Sequence, residues 1–262
     1  MKSKTTGVLT AHLTAQGFLF RGYSDRDLSN FIDPFQKLIK LMPVVNVPVK
    51  IVFRTRKINL DKDVDTGKGI TMYEGKLVGG FDEENSRIAP PEYCDIQRLN
   101  RMGEQVFYIA EERETAIAEQ KVTTDEFLSV AEFDVISSPH VLDFSAYTHD
   151  EQHSVITDEM EKQFQEETFF SARQLYFELQ RFLTILESSE DYYNVSNKIC
   201  DLIKADGRID GIRYRSYFNG HNLGIWRYRP EDYVFKGSQI ERGGLNNDQY
   251  AGMGLCSRDD KG

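Results

Sequence analysis

QVFYIAEERETAIAEQ, residues 105–120, holds the clearest change of pattern in the chain. Gln105 to Ala110 is a short apolar run and reads as a buried strand. Two glutamates interrupt it, and Arg113 to Gln120, built from strong helix formers, reads as a short helix. A strand that runs straight into a helix suits either an α/β or an α+β fold, so the flanking segments decide.

Upstream, Pro48 marks the lower limit of a strand over Val49 to Arg54. Before it, Asp33-Pro34 is a helix-start signal, with an Asp cap and Pro at the first helical position. Phe35, Leu38, Ile39 and Met42 follow at helical spacing, and Pro43 ends the run. Residues 57–104 are rich in Gly, Asp, Asn and Pro, and a connection that long is either functional or hides short strands. Downstream, Phe127 to Val135 alternates as a strand and Val141 to Phe144 is a further candidate. From Asp158 the period becomes helical, with Met160, Phe164, Leu175, Leu179, Phe182 and Leu186 on one or two helices. A third helix runs from Tyr192 to Ala205, turning Val195, Ile199, Leu202 and Ile203 inward, and Gly207 stops it. Gly211 to Ser216 and Leu223 to Tyr228 read as closing strands. Strands and helices are mixed without regular βαβ alternation, which predicts an α+β fold.

The 262 residues suit one large domain with added segments, and 40% hydrophobic content is enough for a core. A formal charge of −10, from 42 acidic and 32 basic residues, argues against nucleic-acid or anionic-membrane partners. Cys94, Cys200 and Cys256 are widely spaced and form no CxxC, which suits a reducing, cytoplasmic setting. The first sixteen residues lack the apolar run of a signal peptide, and no run approaches the roughly 18 apolar residues of a membrane span.

Three segments carry residues suited to chemistry. FRTR (residues 53–56) ends a strand in two arginines. NRMG (100–103) precedes the FYIAEERETAIAE run (107–119). IDGIRYRSY (209–217) is followed by Asn222 before an apolar strand. Taken singly, Arg54 and Arg56 read as surface or ion-pair residues. Tyr108 reads as core, Glu119 as a solvated helix face, and Ser216 and Asn222 as turn residues. Their order along the chain changes this. The set resembles the RES domain family, named for an Arg, a Glu and a Ser. Arg54 matches the arginine of a YRAR-like strand, and Arg101 matches the basic position of a GRMN-like turn. Tyr108 and Glu119 match a YLA…ETAIAE motif, and Ser216 matches a YDGIxYxSS motif. Two departures are that the turn after Met102 is shortened to Gly103-Glu104, and that Tyr217 stands where a second serine is usual.

The resemblance implies an ADP-ribosyltransferase-like α+β fold, a mixed β core with surrounding helices, that binds NAD in a cleft. It implies NAD degradation by phosphorolysis or hydrolysis, with inorganic phosphate or water as acceptor. It also implies a toxin or defence role with an antitoxin protein as partner. On this reading residues 1–45 are a partly helical N-terminal extension, 46–236 the catalytic domain and 237–262 a loose tail. Elementary chemistry agrees with the assignment. Cleaving the nicotinamide–ribose bond passes through an oxocarbenium-like state. A carboxylate, Glu119, would stabilise it. The dinucleotide's phosphates need cations, for which Arg54, Arg101 and Arg213 are candidates, with Arg56 or Arg215 for an acceptor phosphate. Tyr108 would stack on nicotinamide, while Ser216 and Asn222 would hold the amide or ribose by hydrogen bonds. NAD is then the substrate, and no metal or separate cofactor is called for. The rival readings are transfer of ADP-ribose to a protein, and nucleotide or partner binding without turnover. His149 and His153 lie four apart, but HDEQH departs from the HExxH zinc pattern and reads as solvated surface.

Overall fold

The alternating run Phe127–Val135 forms a nine-residue strand as expected, and much of the fold is laid down against it. The computed structural model describes residues 25–145, 155–168, 171–184 and 190–243. In chain order the elements are α1 (Asp25–Leu41), β1 (Val44–Asn46), β2 (Ile51–Lys57), α2 (Leu60–Asp63), β3 (Ile70–Tyr73), β4 (Lys76–Gly79) and α3 (Glu83–Ser86). After these come β5 (Phe107–Ala110), α4 (Arg113–Ala118), β6 (Phe127–Val135), β7 (His140–Phe144), α5 (Asp158–Thr168), α6 (Ala172–Thr184) and α7 (Glu190–Lys204). The chain closes with β8 (Gly211–Arg215), β9 (His221–Ile225) and β10 (Tyr233–Arg242). Parallel and antiparallel pairings both occur, beside helices, and the fold is α+β. No helix among the described residues is long and apolar enough to cross a membrane.

Two compact units divide the chain. One comprises Met1–Asn46, Pro90–Val106 and His140–Arg215, and the other Val47–Ala89, Phe107–Pro139 and Ser216–Gly262.

In the first unit β7 pairs antiparallel with β1 and parallel with β8. A parallel pair needs a long crossover, here supplied by α5, α6 and α7. Phe164, Leu175, Leu179, Phe182, Ile199 and Ile203 from these helices are buried, as their helical spacing required. Tyr176 stacks on Phe144 at 5.6 Å between centroids and donates its hydroxyl to the Asp143 carbonyl at 2.9 Å. Cys200 is fully buried, and burial pushes its thiol up to about 12, which makes it inert packing. Helix α1 differs from expectation: it begins at Asp25 and carries Pro34 inside it. Proline there removes one intrahelical hydrogen bond. Leu38, Ile39 and Met42 on the following turns are nevertheless buried and hold the helix down.

In the second unit five antiparallel strands lie in the order β9-β5-β2-β6-β10. Helix α4 covers one face, where Ile117 and Phe53 pack on Val122, Leu128 and Val130. The other face is aromatic. Phe107 meets Phe133 edge-on at 5.6 Å and Tyr233 at 5.1 Å. The glycine-rich stretch does hide strands: β3 and β4 form a hairpin turned through Glu74 and Gly75, whose φ values of 48° and 75° suit a two-residue turn. Ile70 from this hairpin is buried with Ile58 and Phe81. Residues 237–242, expected to open a loose tail, instead complete β10, which pairs with β6 from Tyr233↔Val135 to Arg242↔Phe127. The register shifts between Phe235 and Gly237, so Lys236 is an extra residue, a bulge. The face shared by Tyr233 and Phe235 is therefore continued by Ser238 and Ile240, and the period of two is broken.

Candidate active site

Helix α4 sits against β2 because Thr115, Ala116 and Ala118 are buried and Thr55 Oγ1 donates to the Ala116 carbonyl at 2.7 Å. Glu119 caps its end, with φ −61° and ψ −23°, and its N–H donates to the Thr115 carbonyl at 3.1 Å. Its side chain therefore leaves the helix where the following segment of the unit can meet it. Ser216 Oγ and Asn222 Nδ2 both donate to Glu119 Oε1, each at 2.6 Å. Among the described residues Oε2 accepts no hydrogen bond. Ser216 and Asn222 are 2% and 5% exposed, so these donors are held in place by packing rather than by water.

The loop between them folds on itself. The Ser216 N–H donates to the Gly220 carbonyl at 3.0 Å, and the Phe218 N–H donates to Ser216 Oγ at 3.0 Å. The Ser216 hydroxyl thus accepts one bond while giving its proton to Glu119, which fixes its rotamer. Tyr108 pairs with Gly224, and two residues on Ala110 pairs with Asn222. By alternation Tyr108 shares the face of Asn222, and the partner opposite it has no side chain. Tyr108 is half-buried there.

The other expected site residues are placed differently. Arg54 was expected to join Glu119 and does not. Its neighbour Thr55 faces α4, so Arg54 and Arg56 point to the opposite face of the strand. The Arg54 guanidinium lies 5.2 Å from the Phe107 ring centroid with Nη1 buried. Arg56 donates to the Asn85 carbonyl and lies 4.7 Å from the Phe81 centroid. Burial draws its pKa below the ordinary value, against the opposing charge of Asp63. The phosphate role read for Arg56 is thus replaced by a packing role. In the other unit, Arg101 lies at the surface with its side chain 45% exposed, paired with Asp201 at 2.6 Å. That pairing raises its pKa. Arg213 donates to Asp143 at 3.1 Å and to Ser145 at 2.5 Å, across the register of β7 and β8. Arg98, not singled out from the sequence, is the more enclosed of the two arginines in this turn. Its guanidinium lies 5.6 Å from the Tyr214 centroid and donates to the Leu183 carbonyl at 2.5 Å. His149 and His153 lie outside the described residues.

Replacing Arg54 by alanine is expected to leave turnover unchanged within about twofold, because it does not reach Glu119. It should cost about 1–2 kcal/mol of stability through lost cation–π contact and stem packing. A denaturant midpoint and a rate assay check this; a large fall in rate at unchanged stability would return Arg54 to the site.

Glu111, Glu112 and His221 offer ligand atoms within 4.8 Å of one another. They are the described residues best able to hold a metal. Glu112, however, already serves as acceptor with both oxygens, toward the His221 N–H at 2.8 Å and its ring Nδ1 at 3.1 Å.

No curated protein matches the chain. Among solved structures, a chain from the crystal structure of the M. tuberculosis MbcT–MbcA toxin–antitoxin complex is similar, at 12% identity and a TM-score of 0.44, over 84% of this chain and 98% of that one. A family model described as the RES domain matches residues 79–240, more than half of the chain. The match includes Arg101, Tyr108, Glu119, Arg213, Ser216 and Asn222 and leaves Arg54 and Arg56 outside it, as the strand faces do. The chain belongs to the RES domain family.

Proposed function

We propose that the chain cleaves the nicotinamide–ribose bond of NAD, with Glu119 as the catalytic carboxylate. One observation carries the reading: Ser216 and Asn222 pin Oε1 of Glu119 from one side, while Oε2 accepts nothing among the described residues. A fixed carboxylate with one oxygen to spare suits a reaction that develops positive charge on a sugar ring. As the bond from the ribose carbon to the nicotinamide nitrogen lengthens, its electron pair leaves with nicotinamide. Oε2 then faces the oxocarbenium-like sugar or a ribose hydroxyl. The leaving nitrogen is cationic in the substrate and departs neutral, so no general acid is required. Tyr108, on the face of Asn222, offers an aromatic surface for the nicotinamide ring. Water or inorganic phosphate then adds to the sugar carbon. An activity that drains NAD has to be restrained, so its biological setting is that of a toxin with a protein antitoxin, as membership of the family supports.

Purified protein incubated with NAD is expected to release nicotinamide. The second product reports the acceptor: free ADP-ribose for water, a phosphorylated ADP-ribose for phosphate, a labelled protein band for transfer. Tight NAD binding with no nicotinamide released, with or without phosphate in the buffer, would sink the enzyme reading and leave a binding module.

A further inference from the structure

Helix α4 carries a second glutamate that grips the same loop. Glu112 stands immediately before the helix and accepts the His221 N–H at Oε2, 2.8 Å away, with Oε1 3.1 Å from the His221 ring Nδ1. One turn on, Thr115 Oγ1 donates to the Asn219 carbonyl at 3.0 Å. Glu119, at the far end, receives Ser216 and Asn222. The helix thus holds the segment Ser216–Asn222 at its start, its middle and its end. The loop needs holding: Asn219 and Gly220 both adopt left-handed backbone, with φ of 76° and 71°. A Cβ at Gly220 would overlap Thr115 Oγ1 and Glu112 Oε2, so the loop backbone lies directly against these two side chains there.

We propose that Glu112 is a positioning residue for the reaction assigned above. By fixing His221 it fixes the adjacent Asn222, whose amide must meet Oε1 of Glu119 for Oε2 to be presented. The inference rests on that reading of Glu119 but concerns a different residue with a separable test. What the position needs is a pair of hydrogen-bonding atoms at the right reach, not a charge. Glutamine supplies nearly the same pair: its oxygen accepts the His221 N–H, and its amide donates to Nδ1 of the other imidazole tautomer.

Three variants decide it: Glu112→Ala, Glu112→Gln and Glu112→Asp. The alanine variant is expected to lose about tenfold to a hundredfold in kcat, the scale of a displacement near 1 Å, with KM for NAD little changed. The glutamine variant should keep kcat within about twofold. Aspartate, one methylene short of its reach, should fall between them, and it serves if the alanine protein does not fold. Full kcat in Glu112→Ala or Glu112→Asp overturns the proposal, and so does a glutamine variant as slow as the alanine one, since charge would then be the requirement. Amide hydrogen exchange gives a readout independent of turnover. Ser216 and Phe218, whose amides Glu112 does not touch, should exchange faster in the alanine or aspartate variant and at the normal rate in the glutamine variant. Should the unaltered protein release no nicotinamide, the reading of Glu119 fails, and exchange alone decides the positioning role. Unchanged exchange at those two amides overturns it.

Discussion

Glu119→Gln is expected to slow nicotinamide release by about a thousandfold, the upper range for removing one preorganised electrostatic contact. Fold and NAD binding should stay in place. Glutamine has almost the shape of glutamate. Its oxygen can accept from Ser216 Oγ and Asn222 Nδ2, the two donors that meet at Oε1. Its amide nitrogen then stands where Oε2 stood and presents hydrogens in place of lone pairs. Packing is conserved while the negative charge facing the sugar is removed, so the variant isolates that one contribution. Nicotinamide release, NAD affinity by calorimetry and a thermal midpoint together check it. If more than a tenth of the rate survives with the fold intact, the carboxylate is not what stabilises the developing cation. A cell in which the unaltered protein arrests growth should tolerate this variant.

Gly220→Ala should damage both stability and rate. At φ 71° an L side chain is strained, and the added methyl would overlap Thr115 Oγ1 and Glu112 Oε2. Left-handed backbone costs about 1–2 kcal/mol, and forcing a methyl into packed atoms about 1–3 kcal/mol more. The sum, about 2–5 kcal/mol, is a large part of a typical stability of about 5–15 kcal/mol. Gly75→Ala is the matched control: its φ is 75°, but nothing lies within 4 Å of the added carbon. It should show the backbone part alone. Denaturant midpoints of the two proteins test the difference. Equal, small losses would mean that helix and loop separate easily at Gly220, and the rate should then survive as well.

Much of the site was legible in the residues. The strand-to-helix change in residues 105–120 placed Tyr108 on a strand and Glu119 at a helix end, and both are so placed. Ser216 and Asn222 were named together, and both bond to Glu119. The strand at Arg54 and Arg56 shows where such reading stops. A period of two puts both arginines on one face, but the docking of α4 through Thr55 decides which face that is. Nothing within residues 49–57 records where a helix sixty residues later will land. Arg98 was not singled out for a related reason, since it stands with Arg101 in one polar turn and only tertiary contact turned it inward. Glu112 and His221 were passed over because an isolated Glu and an isolated His carry no spacing signal. The Asn219-Gly220 pair, a turn signature, was the available hint of a tight loop there. Strand β10 was not read from the sequence at all, and Lys236 breaks the alternation on which strand reading depends.

That single surplus residue also governs how the gene can change length here. Deleting Lys236 would let the strand run on without interruption: Phe235↔Phe133 and Gly237↔Glu132 would become consecutive pairs, and every later residue would keep its partner and its face. With Lys236 gone, Ser238 would still reach the Phe81 carbonyl, to which it donates at 2.6 Å. Losing Gln239 instead would move Ile240 into the place opposite Val130, on the other face, away from the Ile58, Ile70 and Phe81 cluster it packs against. A three-nucleotide in-frame loss is therefore absorbed at this codon, whereas further along the strand the same loss would re-aim every side chain that follows it.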